Sequence, residues 1–80
     1  MKGIINYIKD DEFKMNIIKN EINIVNYIDL LSMSEERVSL NTQLGRIVIK
    51  GNSLLVKKLL NNEMLIVGNI TNIEMGDKNV

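Results

Sequence analysis

Two pairs of adjacent acids are the residues of this sequence whose type and spacing could support catalysis. The pairs are Asp10/Asp11 and Glu35/Glu36, and paired carboxylates can act as general acid and base or bind a hard cation. Adjacent residues on a strand point to opposite faces, so neither pair would converge on one substrate if extended. With Glu12, the first pair forms an acidic run that lacks the enclosing loop pattern of a calcium site. The pattern therefore indicates solvated carboxylates and no metal site.

Other catalytic chemistry is scarce in this composition. The sequence has no histidine and no cysteine, which removes the usual general base, the thiol nucleophile and the common ligands of transition metals. Gly45 and Gly51 are six residues apart, but a predicted strand lies between them and no Gly-Lys-Ser/Thr follows, so they do not form a phosphate loop. We therefore predict a protein that is not an enzyme and takes no cofactor.

A local group of basic residues raises the alternative of nucleic-acid binding. The group comprises Arg46, Lys50, Lys57 and Lys58. The chain has a formal net charge of zero, however, and none of its three aromatic residues is interleaved with these bases. Single-stranded nucleic acid is usually bound by a basic groove together with aromatic stacking platforms. A solvated sheet face is the favoured interpretation, and a small β-barrel that binds nucleic acid remains the alternative function.

Period-two alternation predicts an all-β fold. Val38 and Leu40 alternate with polar residues, and Ile47 and Ile49 share one face of a β-branched block. Turn signals recur about every 8 to 12 residues, which is typical of an antiparallel meander, roll or sandwich of about six or seven short strands. A parallel arrangement needs crossover helices, for which the sequence has no room.

Glycines punctuate the predicted strands in the second half of the chain. Gly45 and Gly51 stand at strand boundaries and are predicted turn residues, with positive φ at one or both. Gly68 lies inside the last apolar run, where it indicates a close backbone approach or strong curvature. The buried parity of that run changes near Thr71 and Asn72, which predicts a bulge or a sharp bend there.

The domain boundaries follow from the same patterns. Residues 13–75 form a single β domain, and residues 76–80 are a polar tail expected to be disordered. Residues 1–12 are predicted to form a short helix or a disordered segment. Ile4, Ile5 and Ile8 are spaced for one helical face, so an amphipathic segment that binds a membrane or a partner is a further alternative.

No apolar run approaches the roughly 20 residues of a transmembrane helix. We therefore expect a soluble cytosolic protein.

A candidate interface lies at Leu54, Leu55 and Val56. This run is apolar on both parities, and a sheet buried on one side should not need Leu55. The alternative is that Leu55 belongs to a core buried on both sides. Short strands also leave two open sheet edges, and the chain lacks proline, which often blunts such edges. Edge pairing with a partner or with a second copy of the chain is therefore the predicted mode of action.

Four segments carry a resemblance to a known family. They are Glu-Arg-Val-Ser-Leu-Asn-Thr at 36–42, Leu-Gly-Arg-Ile-Val-Ile-Lys-Gly at 44–51, Leu-Leu-Val-Lys at 54–57, and a last strand at 63–75 that contains Gly-x-Ile-x-x-Ile. Their order and spacing resemble the YabP/YqfC family of endospore-forming bacteria. The apolar hairpin that precedes them is more similar to the YqfC branch. Residues 1–12 lie outside the resemblance.

The resemblance implies a role in sporulation and no enzymatic activity. It implies action in the cytosol of the mother cell, at the periphery of the forespore membrane, together with an integral membrane protein. It transfers no catalytic residue to this chain.

Overall fold

The structure is a computed structural model and describes residues 12–76. Six strands form in this range, and it contains no helix. The strands are β1 (Lys14–Ile18), β2 (Glu21–Val25), β3 (Asp29–Met33), β4 (Arg37–Thr42), β5 (Gly45–Leu59) and β6 (Glu63–Met75). The predicted all-β class is confirmed. The helix or disordered segment predicted before residue 12 lies outside the described residues, as does the tail after Gly76.

All six strands belong to one antiparallel sheet with the order β1-β2-β6-β5-β4-β3. Strands β3 to β6 form a meander, because each pairs with the next strand in sequence. The β1–β2 hairpin joins the sheet on the other side of β6. As a result β1 and β3 are the two edge strands among the described residues.

The β5–β6 hairpin is much longer than the sequence pattern predicts. The predicted break at Gly51 is wrong: β5 runs through it for 15 residues and β6 for 13. Gly51 and Asn52 predicted a turn from their residue types. Bulges in the β5–β6 pairing instead allow the strand to continue past them. On β6 the extra residue is Thr71, since Lys50 pairs with Asn72 and Gly51 with Ile70. The bulge predicted near Thr71 is therefore confirmed, and the Thr71 hydroxyl donates a hydrogen bond to the Lys50 carbonyl oxygen over 3.2 Å.

The long hairpin folds over at its middle. Strand β4 pairs with the first part of β5, whereas β2 pairs with the first part of β6, at the opposite end of the hairpin. Buried side chains from both ends nevertheless belong to one core cluster, which requires the sheet to bend between them. This cluster consists of Ile22, Ile24, Val38, Leu40, Ile47, Ile49, Leu54, Met64 and Ile66. Bulges in β5 at 53–54 and at Lys57 supply local twist for this bend.

Strands β5 and β6 approach each other closely at this bend, and glycine occupies the two positions of closest approach, Gly51 and Gly68. A Cβ atom on Gly51 would lie 2.1 Å from the carbonyl oxygen of Asn69. A Cβ atom on Gly68, where φ is +139°, would lie 2.7 Å from the carbonyl oxygen of Ser53. Gly51 is thus required by close approach inside a strand and not by a turn, and it has no positive φ. Gly68 also lies inside its strand and not in a turn.

The turn between β4 and β5 is organised by one buried hydroxyl. Thr42 is 4% exposed. Its Oγ1 donates to the carbonyl oxygen of Gly45 over 2.8 Å and accepts from the Leu44 N–H over 3.0 Å. Gly45 closes this turn with a φ of 123°, a conformation that favours glycine.

Replacing Thr42 by valine should lower the free energy of unfolding by about 1–3 kcal/mol, because a buried carbonyl and an N–H lose their partner while the side-chain volume is kept. Urea denaturation measures the change. Thr42→Ser retains the hydroxyl and should cost less than Thr42→Val. Equal losses for the two variants would show that the hydroxyl does not stabilise the turn.

Candidate interaction surfaces

The acidic residues do not form a site in the described part of the chain. Glu35 and Glu36 are both exposed on the connection between β3 and β4, where they are solvated as predicted. Asp10 and Asp11 lie outside the described residues. Within residues 12–76 no group of three or more potential ligands could hold a metal ion.

Two of the four basic residues are paired with glutamates. Lys50 Nζ lies 3.1 Å from Glu74 Oε2, and Lys58 Nζ lies 3.5 Å from Glu63 Oε2. Both bridges are solvent-exposed and contribute little to stability. They do, however, reduce the positive potential of the predicted basic group.

The three residues of the candidate interface point to different surroundings. Leu54 is 5% exposed and belongs to the core, so it is not available to a partner. Val56 is half-buried and packs against that core. Leu55 is 58% exposed and therefore does not lie in a core buried on both sides.

Leu55 belongs to an apolar strip on the outer face of the sheet. The register places it opposite Val67, which in turn lies opposite Glu21 and then Ile18. Ile18 is also exposed, and Val67 is half-buried. Leu65 lies two residues from Val67 on the same face. We call Ile18, Leu55, Leu65 and Val67 the outer strip. On β2 the polar residues Glu21 and Asn23 lie opposite Val67 and Leu65, so they separate Ile18 on β1 from the apolar residues of β5 and β6.

The two edges of the sheet differ in regularity. Strand β3 carries an extra residue at Leu31, since Leu30 pairs with Leu40 but Ser32 pairs with Ser39. A bulge of this kind disfavours the addition of another strand. Strand β1 pairs with β2 in continuous register over all five of its residues, so its outer edge is the more regular template for a partner strand.

An open groove of about 740 Å³ lies where two connections meet. It is lined by Tyr27, Ile28, Asp29, Leu30, Leu59, Leu60, Asn61 and Asn62. The Tyr27 hydroxyl donates to the carbonyl oxygen of Leu60 over 2.6 Å, and the Asn26 N–H donates to the carbonyl oxygen of Asn62 over 2.5 Å. Sequence reasoning missed this groove, because its two walls are about thirty residues apart in sequence and have no shared pattern.

No helix in the described range is long and apolar enough to cross a membrane.

The bent sheet, its close glycine crossings and its exposed outer strip define a small all-β domain built around one long hairpin. The chain belongs to the YabP family, whose family model matches residues 10–80. Membership of this family suggests a sporulation-related role. Comparisons with curated proteins and with solved structures found no match.

Proposed function

We propose that this chain is a non-enzymatic assembly or adaptor module of sporulation that docks a protein partner on the outer strip and on the outer edge of β1, which no strand of residues 12–76 covers. The observation that carries the proposal is that two large apolar side chains of the outer strip, Leu55 on β5 and Ile18 on β1, are each more than half exposed. An added strand would pair with the backbone groups of β1 that residues 12–76 leave unpaired, and its side chains on the outer face would cover Ile18.

The biological setting of the proposal comes from the family. The YabP family suggests sporulation, and the partner would be an integral membrane protein contacted from the mother-cell cytosol at the forespore membrane. The apolar β1–β2 hairpin ahead of the core supports placement in the YqfC branch. A small domain gains proportionally more from covering an apolar strip than a large one.

The alternative of nucleic-acid binding has less support. Lys50 and Lys58 are paired with glutamates, and the net charge of zero gives no long-range attraction for a polyanion. Strand addition needs neither a basic surface nor stacking aromatics.

Replacing Leu55 by lysine should abolish capture of the partner while the domain stays folded. Leu55 is 58% exposed, so the new charge remains solvated in the free protein and is buried only in the complex. The measurement is a pull-down of the tagged variant from solubilised membranes of sporulating cells, with far-UV circular dichroism to check folding.

Leu44→Lys is the matched control, because Leu44 is 63% exposed on the β4–β5 turn and away from the outer strip. This variant should retain the partner. If Leu55→Lys also retains it, or if the wild-type chain recovers no membrane protein at all, the docking proposal is wrong.

A further inference from the structure

The described chain begins at the rim of the groove. The side-chain amide of Asn26 donates to the carbonyl oxygen of Glu12 over 2.8 Å. The backbone N–H of the same asparagine donates to Asn62, which lines the groove. Tyr27, the next residue, lines it as well. Residues 1–11 are therefore attached to the domain at Glu12, which is hydrogen-bonded to the sequence neighbour of the groove residue Tyr27.

The groove presents apolar side chains that the described residues leave uncovered. Ile28, Leu59 and Leu60 are each about half exposed. Asp29 is the one charged residue among the eight that line it. An apolar segment with a nearby cation would complement this lining.

The sequence before Glu12 has that composition. Ile4, Ile5, Tyr7 and Ile8 are apolar, and Lys9 carries a positive charge that would complement Asp29. A chain spans at most about 3.3–3.6 Å per residue. Ile8 can therefore reach about 14 Å from Glu12, and Ile4 about 28 Å. The family match begins at residue 10, so residues 1–9 lie outside it.

We propose that residues 1–11 bind in the groove of the same molecule, with the isoleucine side chains against Ile28, Leu59 and Leu60. This is an interaction surface apart from the outer strip. A second copy of the chain and an external protein are the other conceivable occupants, and the experiment separates them.

The experiment uses the 80-residue chain, which has no cysteine, so that Asn6→Cys gives one site for a nitroxide spin label. Amide signals of residues 28–30 and 59–62 should lose most of their intensity relative to the reduced label. Signals of Asn20 and Gly68, which are hydrogen-bonded to each other at the β1–β2 turn, serve as the reference and should keep theirs. Equal intensities at the groove and at the reference would overturn the proposal.

A second sample mixes spin-labelled chains with isotope-labelled chains that carry no spin label. Broadening of the groove signals in this mixture would show that the segment binds a second copy, which also overturns the proposal. No broadening is expected, because the contact lies within one molecule.

Matched variants assign the contact to the groove. Leu60→Ser should reduce the broadening in the spin-labelled chain, whereas Leu55→Ser, an equally exposed leucine outside the groove, should leave it unchanged. Ile28→Ser replaces Leu60→Ser if the latter does not fold. An equal effect of Leu55→Ser and the groove variant would contradict the assignment.

Discussion

Replacing Ile66 by aspartate should prevent the chain from folding. Ile66 is 0% exposed and lies in the core cluster on β6, between Ile22 on β2 and Val56 on β5. A carboxylate there would be buried without a partner, at a cost of about 5 kcal/mol or more. This is comparable with the whole free energy of unfolding of a domain, about 5–15 kcal/mol. Ile47→Asp, at an equally buried position on β5, should have the same effect. Far-UV circular dichroism and the dispersion of amide signals provide the measurement.

Two control variants distinguish the effect of burying a charge from the effect of changing the residue at position 66 or of adding a carboxylate elsewhere. Ile66→Val keeps an apolar side chain and should cost only about 0.5–1.5 kcal/mol. Leu44→Asp introduces the same carboxylate on an exposed turn and should leave the fold intact. A folded Ile66→Asp protein would show that β6 does not cross the core in this register.

The strands were predictable because alternation along each one is local information. Val38 and Leu40, like Ile47 and Ile49, show period two in sequence and are buried in the structure. The β5–β6 hairpin was not predictable as one unit. The signals at Gly51 and Asn52 indicate a turn when taken alone, and only the pairing with β6 shows that the strand continues through a bulge. The parity change near Thr71 did predict the bulge on β6, but the residues around Gly51 do not show with which strand, or in which register, β5 continues to pair.

The candidate interaction surfaces were predictable to a smaller extent. Leu55 stood out because its run is apolar on both parities, but the run alone did not show that Leu54 would be buried and Leu55 exposed. That difference arises at the bulge in β5, which changes the parity of the strand. The groove between Tyr27 and Leu60 is a product of tertiary folding, and its residues have no common periodicity.

Replacing Gly51 by alanine should destabilise the protein, although alanine in a strand is normally favoured over glycine by about 0.5–1 kcal/mol. The new Cβ would lie 2.1 Å from the Asn69 carbonyl oxygen and 3.1 Å from the Ile70 Cα. Both atoms belong to the backbone of β6, so no side-chain rotation can relieve the overlap. The strands would have to separate at the bend, and we expect a loss of about 1–3 kcal/mol or more. Urea denaturation followed by circular dichroism measures it.

Gly76→Ala is the matched control for this prediction. A Cβ on Gly76 would lie 3.6 Å from its nearest neighbour, the Arg46 carbonyl oxygen, which is ordinary van der Waals contact. This substitution should change the free energy of unfolding by less than about 0.5 kcal/mol. If Gly51→Ala is as stable as Gly76→Ala, then β5 and β6 do not approach closely at Gly51. In that case the bend that brings the two ends of the hairpin into one core must lie elsewhere, at the bulges of β5 or at Gly68.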